Sequence, residues 1–600
     1  MENLIQRQHI DQLVSEWLSI DVNPTTRNQI KQLASRGDYT SLDNLLSNRI
    51  VFGTAGLRAR MEAGYSRMND VTVLQASQGL AEYIKSSALD NEPLTIVVGH
   101  DHRHNSERFA EITASIFLMK GFKVFYLGSA NCATPMVPFS VDLLKSLGGI
   151  MITASHNPKD DNGYKVYWKN GCQIIPPHDL NIQKSILSNL TPILKGDWDT
   201  TEIMKSNLLS DCYDDIAAKY QSHLINVLRP EKLSGFKFVY TPMHGVGAAF
   251  VFKILQSFTD DDDWVIVHDQ SQPDPDFPTV KFPNPEERGA LDLAISNADK
   301  LGISLVIAND PDADRFTAAF KLPSNRWKQL SGNELGTLFA DYVIQKIIAE
   351  GIDLSKIFLL NSTVSSQLIS EMAKSKGFQF DQTLTGFKWI GNRAIDLENK
   401  GYIVPFAYEE AIGFMFPTVH DKDGISALVV FLQLYNNLLK EKLNPLEKLE
   451  QMYNQYGFFK QCNGYYITSS PNVIDRIFNE TIRKKIVSDG QLYPSQIAYY
   501  KVCEWRDLTI GFDSSMHDGK PVLYVDPSSQ MITVKLSTHR QDEYIRFTAR
   551  GSGTEPKLKV YIEAKAKTEK RSEELAIDVW NVLRSEWFQP ETNGLIEKLV

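Results

Sequence analysis

Cysteine is scarce in this sequence. The five residues Cys132, Cys172, Cys212, Cys462 and Cys503 are odd in number, scattered through 600 positions and nowhere spaced C-x-x-C. That argues against a disulfide scaffold, leaves no zinc pattern, and fits a reducing compartment, the cytosol. Long apolar runs are missing as well: none approaches the ~18 residues that would cross a bilayer. The first twenty residues interrupt their apolar positions with Glu2, Asp11 and Glu16, so they read as an amphipathic surface helix and not as a signal peptide. Nor is there an excess of positive charge. The net charge is −10, which gives no footing for nucleic-acid binding. What remains is an ordinary globular composition, 42% hydrophobic and 23% charged. At ~100 to 200 residues per domain, the chain is long enough for three to five domains.

The chemistry-bearing loops hang on short apolar strands. Leu147-Gly148-Gly149-Ile150-Met151-Ile152 reads as a buried strand, and Thr153-Ala154-Ser155-His156-Asn157-Pro158 follows it. Asn157-Pro158 and Asp160-Asp161-Asn162-Gly163 are turn signals, so Ser155 is held at the carboxyl end of a strand, where open α/β sheets place their ligands. Upstream, Phe52-Gly53-Thr54-Ala55-Gly56-Leu57-Arg58-Ala59-Arg60 is a glycine-spaced loop whose arginines suit the paired oxygens of an anion. A helix over 70–87, a strand over 94–99, a helix over 107–120 and a strand over 123–127 give the β-α-β order of a sheet with crossover helices. The loop His100-Asp101-His102-Arg103-His104 matches no zinc spacing and is expected to line an anionic pocket. Between 182 and 215 strand signals are lacking, which places a domain boundary near 215.

After the apolar run Ile303 to Ala308 comes Asn309-Asp310-Pro311-Asp312-Ala313-Asp314-Arg315. Three carboxylates at alternate positions of an extended chain would point one way, and their repulsion calls for a cation. All-oxygen ligands suit Mg²⁺. An EF-hand is excluded, because Arg315 stands where that loop needs glycine and Lys321 where it needs glutamate. Further along, Thr385-Gly386-Phe387-Lys388 presents a lysine beside a glycine turn, and Glu409-Glu410-Ala411-Ile412-Gly413 puts two carboxylates after an apolar strand. Asp421-Lys422-Asp423-Gly424 reads as one more polar surface turn. Near the C-terminus, Arg550-Gly551-Ser552-Gly553-Thr554-Glu555-Pro556-Lys557 could cradle a phosphate with backbone and hydroxyl donors, or be only a hairpin turn.

Together these loops resemble the α-D-phosphohexomutase superfamily over nearly the whole chain, from about 52 to 564, with four of its signatures in the family's order. The resemblance implies an α/β fold of four domains around a central cleft: three similar mixed α/β sheet units and a C-terminal α+β domain resembling the TATA-box-binding-protein-like fold. The expected division is a helical extension over 1–50, domain I with the phosphoserine loop over 51–215, domain II with the metal loop over 216–325, domain III with the sugar loop over 326–460 and domain IV with the phosphate loop over 461–600. It also implies that Ser155 carries a phosphoryl group as phosphoserine. One Mg²⁺ per chain would be held by Asp310, Asp312, Asp314 and the phosphoserine. Arg315, His156 and Arg58 would attend the transferring group, with Lys388 as proton shuttle. Thr385, Gly386 and Glu409 would bind the sugar, and Arg550, Ser552, Gly553, Thr554 and Lys557 would clamp the phosphate that does not react. A sugar bisphosphate would act as activator.

Common phosphoglucomutases carry Glu-Glu-Ser-Phe-Gly in the sugar loop, whereas this chain has Glu409-Glu410-Ala411-Ile412-Gly413. Loss of a hydroxyl from a polar site alters discrimination more than an apolar exchange does. With Gly53-Thr54-Ala55-Gly56-Leu57-Arg58 and Gly386-Phe387-Lys388-Trp389, it looks like the phosphopentomutase (phosphoribomutase) branch. Ribose and deoxyribose phosphates are therefore the expected substrates of a cytoplasmic, monomeric enzyme that binds neither nucleic acid nor membrane. The alternatives are a phosphoglucomutase and a glucose 1,6-bisphosphate synthase. A serine hydrolase is disfavoured, because Thr153 and Asn157 occupy the glycine positions of G-x-S-x-G. A non-catalytic sugar-phosphate module would have no use for both Ser155 and the three aspartates.

Overall fold

In a computed structural model, residues 2–53, 56–233, 235–468, 470–484, 492–552 and 556–599 are described. Internal contacts divide the chain into two units, residues 1–345 with 386–441, and residues 346–385 with 442–600.

The first unit begins with three helices, Glu2–Ile20, Pro24–Arg36 and Tyr39–Leu46. Proline opens the second behind the Asn23 cap, and Gly37 closes it in the left-handed conformation. The first helix buries Ile10, Val14 and Trp17 at helical spacing. Trp17 is fully buried and meets the Tyr65 ring edge-on, centroids 5.1 Å apart. Trp17→Ala should cost about 3–5 kcal/mol, the usual figure for emptying a large aromatic site; urea unfolding of the full chain measures it.

Behind these helices lies a six-stranded sheet, in the order Leu57–Arg60, Asp161–Trp168, Gly148–Ile152, Thr95–His100, Lys123–Tyr126, Leu209–Asp211. The last four strands run parallel, with Gly148–Ile152 and Thr95–His100 the buried pair at the centre, and the first two are antiparallel additions at one edge. Leu209–Asp211 corrects the sequence reading of 182–215 as free of strand. Three residues at a sheet edge carry too little periodicity to register, and this strand is fixed by pairing with Val124–Tyr126.

A second sheet in this unit orders Trp327–Gln329, Phe316–Lys321, Leu305–Asn309, Phe238–Thr241 and Trp264–Ile266. The strand Leu305–Asn309 is buried along its whole length. Both parallel strands Gly148–Ile152 and Leu305–Asn309 end in the loops that carry the serine and the aspartates. The unit also contains the hairpin Ile403–Glu409 with Gly413–Met415 and the helix Gly424–Lys440. Asp423 caps that helix by accepting the Ile425 and Ser426 N–H groups, both at 3.0 Å.

In the second unit the parallel strands Ile357–Ser362 and Gln379–Thr383 pair. A nine-stranded sheet, whose long antiparallel members are Tyr500–Asp507, Met531–Ser537, Tyr544–Gly551 and Lys557–Ala566, packs one face against the helix Glu569–Leu583. Among the described residues, no helix is long and apolar enough to cross a membrane.

Candidate active site

Ser155 adopts φ +54°, a left-handed conformation that a non-glycine residue holds only when its surroundings impose it. Here the imposing group is Arg103. Its Nη2 donates to the carbonyls of Ser155 and Asn157 at 2.5 and 2.6 Å, and its Nη1 to that of Pro158 at 2.8 Å. Asp101 in turn forms an ion pair with Arg103 Nε at 3.3 Å and accepts from the Thr153 hydroxyl at 2.6 Å, and the Thr153 hydroxyl accepts the Ser155 N–H at 2.9 Å. The loop is thus stapled from within, with Ser155 only 2% exposed.

The His100-to-His104 loop does not line an anionic pocket as a set. His100 is hydrogen-bonded to the carbonyls of Asp101 and Gly128, His102 is half-buried edge-on to Phe277, and His104 meets Asp276 at 3.3 Å. Burial pushes the His102 imidazole down to about 4, so it is neutral near pH 7.

Asp310 to Arg315 is a tight turn, not the extended run expected from the alternation. The Ala313 N–H donates to the Asp310 carbonyl and the Arg315 N–H to Asp310 Oδ1, both at 2.9 Å, with Ala313 at φ +58°. Proline at 311 and the carboxylate cap favour turn over strand. Two glycines let neighbouring loops close on it. A Cβ at Gly245 would lie 2.4 Å from Pro311 Cα, and one at Gly424 2.2 Å from the Arg315 carbonyl oxygen. One carboxylate oxygen from each of Asp310, Asp312 and Asp314 falls within 4.8 Å of the others, and all three residues are buried.

The two loops meet. Ser155 Oγ donates to Asp310 Oδ2 at 2.9 Å and lies 3.2 Å from His156 Nδ1. Lys165, rising from the buried strand Asp161–Trp168, donates to Asp312 Oδ2 at 2.7 Å and Asp314 Oδ2 at 3.0 Å. The Thr134 hydroxyl adds a bond to Asp312 Oδ2 at 2.6 Å. Lys422 Nζ reaches Asp314 Oδ2 at 3.2 Å, and Arg315 Nε lies 3.8 Å from Asp314 Oδ1. Asp421-Lys422-Asp423-Gly424, expected on the surface, is therefore buried against the aspartates.

These charges set the titration of the carboxyls. Burial, with Asp312 and Asp314 beside it, holds Asp310 well above the carboxylate range. For Asp312 burial pulls the same way but is outweighed by the Lys165 ammonium and the Lys165 and Thr134 hydrogen bonds, so it stays below that range. Asp312 Oδ1 and Asp314 Oδ1 are buried without a hydrogen-bond partner. Two orphaned carboxylate oxygens beside the Asp310 carboxylate form an all-oxygen donor set that fits a hard divalent cation.

The remaining expected residues divide by unit. Arg58 Nη1 donates to Asn157 Oδ1 at 3.3 Å, and Arg315 Nη1 to the Ala411 carbonyl at 3.1 Å. Glu409, ending the strand Ile403–Glu409, accepts the Gly386 N–H, and burial with the Glu410 charge raises it to about 7. Lys388 is buried in the first turn of the helix Phe387–Glu398, its ammonium 4.9 Å from the Trp389 ring centre. Thr385 belongs to the second unit, in the loop after Gln379–Thr383. There too, the Ser552 N–H donates to the Lys557 carbonyl at 2.8 Å, closing the loop between two strands. Lys557 lies 5.2 Å from the Tyr465 ring centre and Arg550 6.0 Å from that of Tyr561. Gly553 and Thr554 fall outside the described residues.

The comparisons with known proteins bear on this geometry. The phosphoglucomutase/phosphomannomutase family models match in order: alpha/beta/alpha domain I over residues 49–192, domain II over 218–322 and domain III over 331–456. The chain belongs to this family. The phosphoribomutase of Saccharomyces cerevisiae is 50% identical, covering 98% of this chain and 97% of its own. The human glucose 1,6-bisphosphate synthase is 38% identical, over 98% and 96%. Among solved structures, Paramecium parafusin, titled a phosphoglucomutase in its open form, matches with a TM-score of 0.63 at 18% identity, over 89% of this chain and 95% of that one. As a member of the α-D-phosphohexomutase superfamily, in its phosphopentomutase branch, the chain is a phosphomutase, an isomerase working by phosphoryl transfer. Family membership rests on signatures that the sequence displays. Lys165, Arg103, Thr134 and Lys422 are different: nothing in the sequence tied them to Ser155 or to the three aspartates, although Arg103 and Lys422 stand in loops it marks. Lys165 did leave a trace, a lone lysine in the apolar run Tyr164 to Trp168, and a lysine so placed has to be paired.

Proposed function

We propose that the chain interconverts ribose 1-phosphate, and deoxyribose 1-phosphate, with the corresponding 5-phosphates through a phosphoserine at Ser155 and a sugar bisphosphate intermediate. One observation carries the reading: Ser155 Oγ, on one loop, lies 2.9 Å from Asp310 Oδ2 on another, inside a buried pocket with three carboxylates and three cationic side chains.

In the first half-reaction the phosphoserine Oγ–P bond breaks as a new P–O bond forms to the free hydroxyl of the sugar phosphate, and that hydroxyl gives up its proton. In the second, Ser155 Oγ takes the other phosphoryl group from the bisphosphate and the released sugar oxygen regains a proton. Such transfers need positioning and charge neutralisation above all. Arg315, Arg58 and His156 would attend the moving group, and Lys388 would relay the proton. Burial, reinforced by the Arg315 and Arg58 charges, keeps the His156 imidazole well below its usual value, so it stays a neutral hydrogen-bonding partner. Glu409 would take the sugar hydroxyls, as would Thr385 and Gly386. Arg550, Ser552, Gly553, Thr554 and Lys557 would hold the phosphate at rest. Asp310, Asp312, Asp314 and Ser155 would hold one Mg²⁺, which when bound neutralises charge on the transferring phosphoryl group. A sugar bisphosphate would prime Ser155. A cytoplasmic monomer is the working state in this reading.

The pentose preference is supported by Ala411 in the sugar loop and by the higher identity to the phosphoribomutase than to the bisphosphate synthase. With Mg²⁺ and a bisphosphate primer, kcat/KM for ribose 1-phosphate should exceed that for glucose 1-phosphate by about tenfold or more, a difference of 1.4 kcal/mol in the barrier. Equal or better use of glucose 1-phosphate would move the chain to the phosphoglucomutase reading.

A further inference from the structure

The strand Tyr544–Gly551 alternates along its length. Ile545, Phe547 and Ala549 enter the apolar core of the C-terminal sheet, so Tyr544, Arg546, Thr548 and Arg550 share the opposite face. Arg550 stands at the loop end and belongs to the proposed phosphate clamp. Arg546 is four residues earlier, ~13 Å along an extended strand. Its Nη2 donates to Thr363 Oγ1 at 2.7 Å and to Gln382 Oε1 at 2.9 Å. Arg506, on the strand Tyr500–Asp507, donates its own Nη2 to the same Thr363 Oγ1 at 2.6 Å.

Two guanidinium groups thus converge on one neutral hydroxyl oxygen. Arg506 Nε is buried and has no hydrogen-bond partner. The carboxylates nearby have partners of their own: Glu504 pairs with Lys535 at 3.0 Å and Asp513 accepts from the Ser515 hydroxyl at 2.6 Å, both within reach of the Arg506 charge, and Glu563 accepts the Gln367 N–H at 2.8 Å. Burial, and after it the charge of Arg506, pulls the Arg546 guanidinium down to about 10. Two like charges held together in this way repel, and an anion between them would relieve that repulsion.

Beside them is room for one. A cavity of about 120 Å³ is lined by four cationic side chains, Arg506, Arg546, Lys374 and Lys535, against two carboxylates, Glu504 and Asp513, with the neutral donors Gln382 and Ser515 beside them. A single water needs only ~10–15 Å³ by such a measure, so the space admits a phosphate group with part of whatever carries it. Planar guanidinium forks match phosphate oxygens in pairs, and the two lysines, paired with Glu371 and Glu504 on the exposed side, stand at the mouth.

We propose that this cavity is a second anion site of the chain, separate from the clamp around Arg550, that takes a phosphate group as inorganic phosphate or as the phosphate of a sugar monophosphate. An anion there would tie the strand carrying Arg550 to Thr363 and Gln382, at the ends of two other strands, which is the place for an effector.

The test reads binding, so it stands or falls apart from the mutase mechanism. In the full chain carrying Ser155→Ala and Arg550→Met, calorimetric titration with inorganic phosphate at constant ionic strength should show one saturable site. Adding Arg506→Gln or Arg546→Gln should weaken it by tenfold or more. Ribose 5-phosphate in a second arm distinguishes the sources: competition with phosphate assigns the site to a phosphate monoester, and no competition assigns it to the free ion. If the arginine variants fail to fold, Lys374→Met with Lys535→Met, both on the rim, should weaken phosphate at least threefold. Phosphate affinity unchanged in every folded variant, or no saturable phosphate binding at all, overturns the proposal.

Discussion

Ser155→Ala should lower turnover of ribose 1-phosphate by about 10⁴-fold or more, the scale on which removal of a nucleophile acts. The same change should abolish a phosphate-sized adduct seen by intact mass in the unaltered protein after exposure to a sugar bisphosphate. The expected fold-change is large because the proposed reaction has no second route. Ser155 Oγ reaches Asp310 Oδ2 of the aspartate cluster at 2.9 Å, and its backbone is fixed by Arg103 and Thr153. Alanine removes the oxygen and leaves those backbone bonds in place, so the fold should persist and sugar phosphate should still bind. A variant that turns over normally, or that still gains the adduct, would place the carrier elsewhere and end the phosphoserine mechanism.

The loops were legible in the sequence because each is short, glycine- or proline-marked and fed by an apolar strand. Leu147 to Ile152 leading into Ser155, and Ile303 to Ala308 leading into Asp310, give strand, turn and polar side chain within a dozen residues. The conformation of the metal loop was not legible in the same way. Alternation suggested extended chain, and the turn arises because Asp310 Oδ1 caps the Arg315 N–H, a local bond that competes with strand pairing. What surrounds these loops was hidden for another reason. Arg103 acts on carbonyls more than fifty positions away in the chain, and Lys422 meets Asp314 across more than a hundred. Neither residue type nor spacing marks such a pairing. Asp421-Lys422-Asp423-Gly424 has the composition of a solvated turn and becomes buried only because Gly424 admits the Arg315 backbone.

Lys165→Met should be the most informative change outside the nucleophile. Lys165 is a positioning residue: its ammonium holds Asp312 Oδ2 and Asp314 Oδ2 at 2.7 and 3.0 Å, in a site where all three residues are buried. That pairing leaves the Oδ1 atoms of both aspartates without a hydrogen bond. Methionine nearly preserves length and volume, so a lysine that merely filled space would be replaced at little cost. Loss of the charge instead strands buried carboxylates, which costs about 3–5 kcal/mol when one partner of a buried pair is removed. Urea unfolding in the presence of a chelator should show this deficit. Excess Mg²⁺ should then restore part of it, since a ligand of the native state adds about 2.7 kcal/mol at a hundredfold its Kd. Turnover, measured with Mg²⁺ saturating, should still fall by about 10²–10³, because the aspartates are no longer held where charge develops on the transferring group. A variant as stable as the parent in chelator would mean that the aspartates do not need the ammonium. A deficit that Mg²⁺ leaves untouched would mean that they do not hold the cation, and the two outcomes separate the electrostatics of the cluster from its proposed role as a metal site.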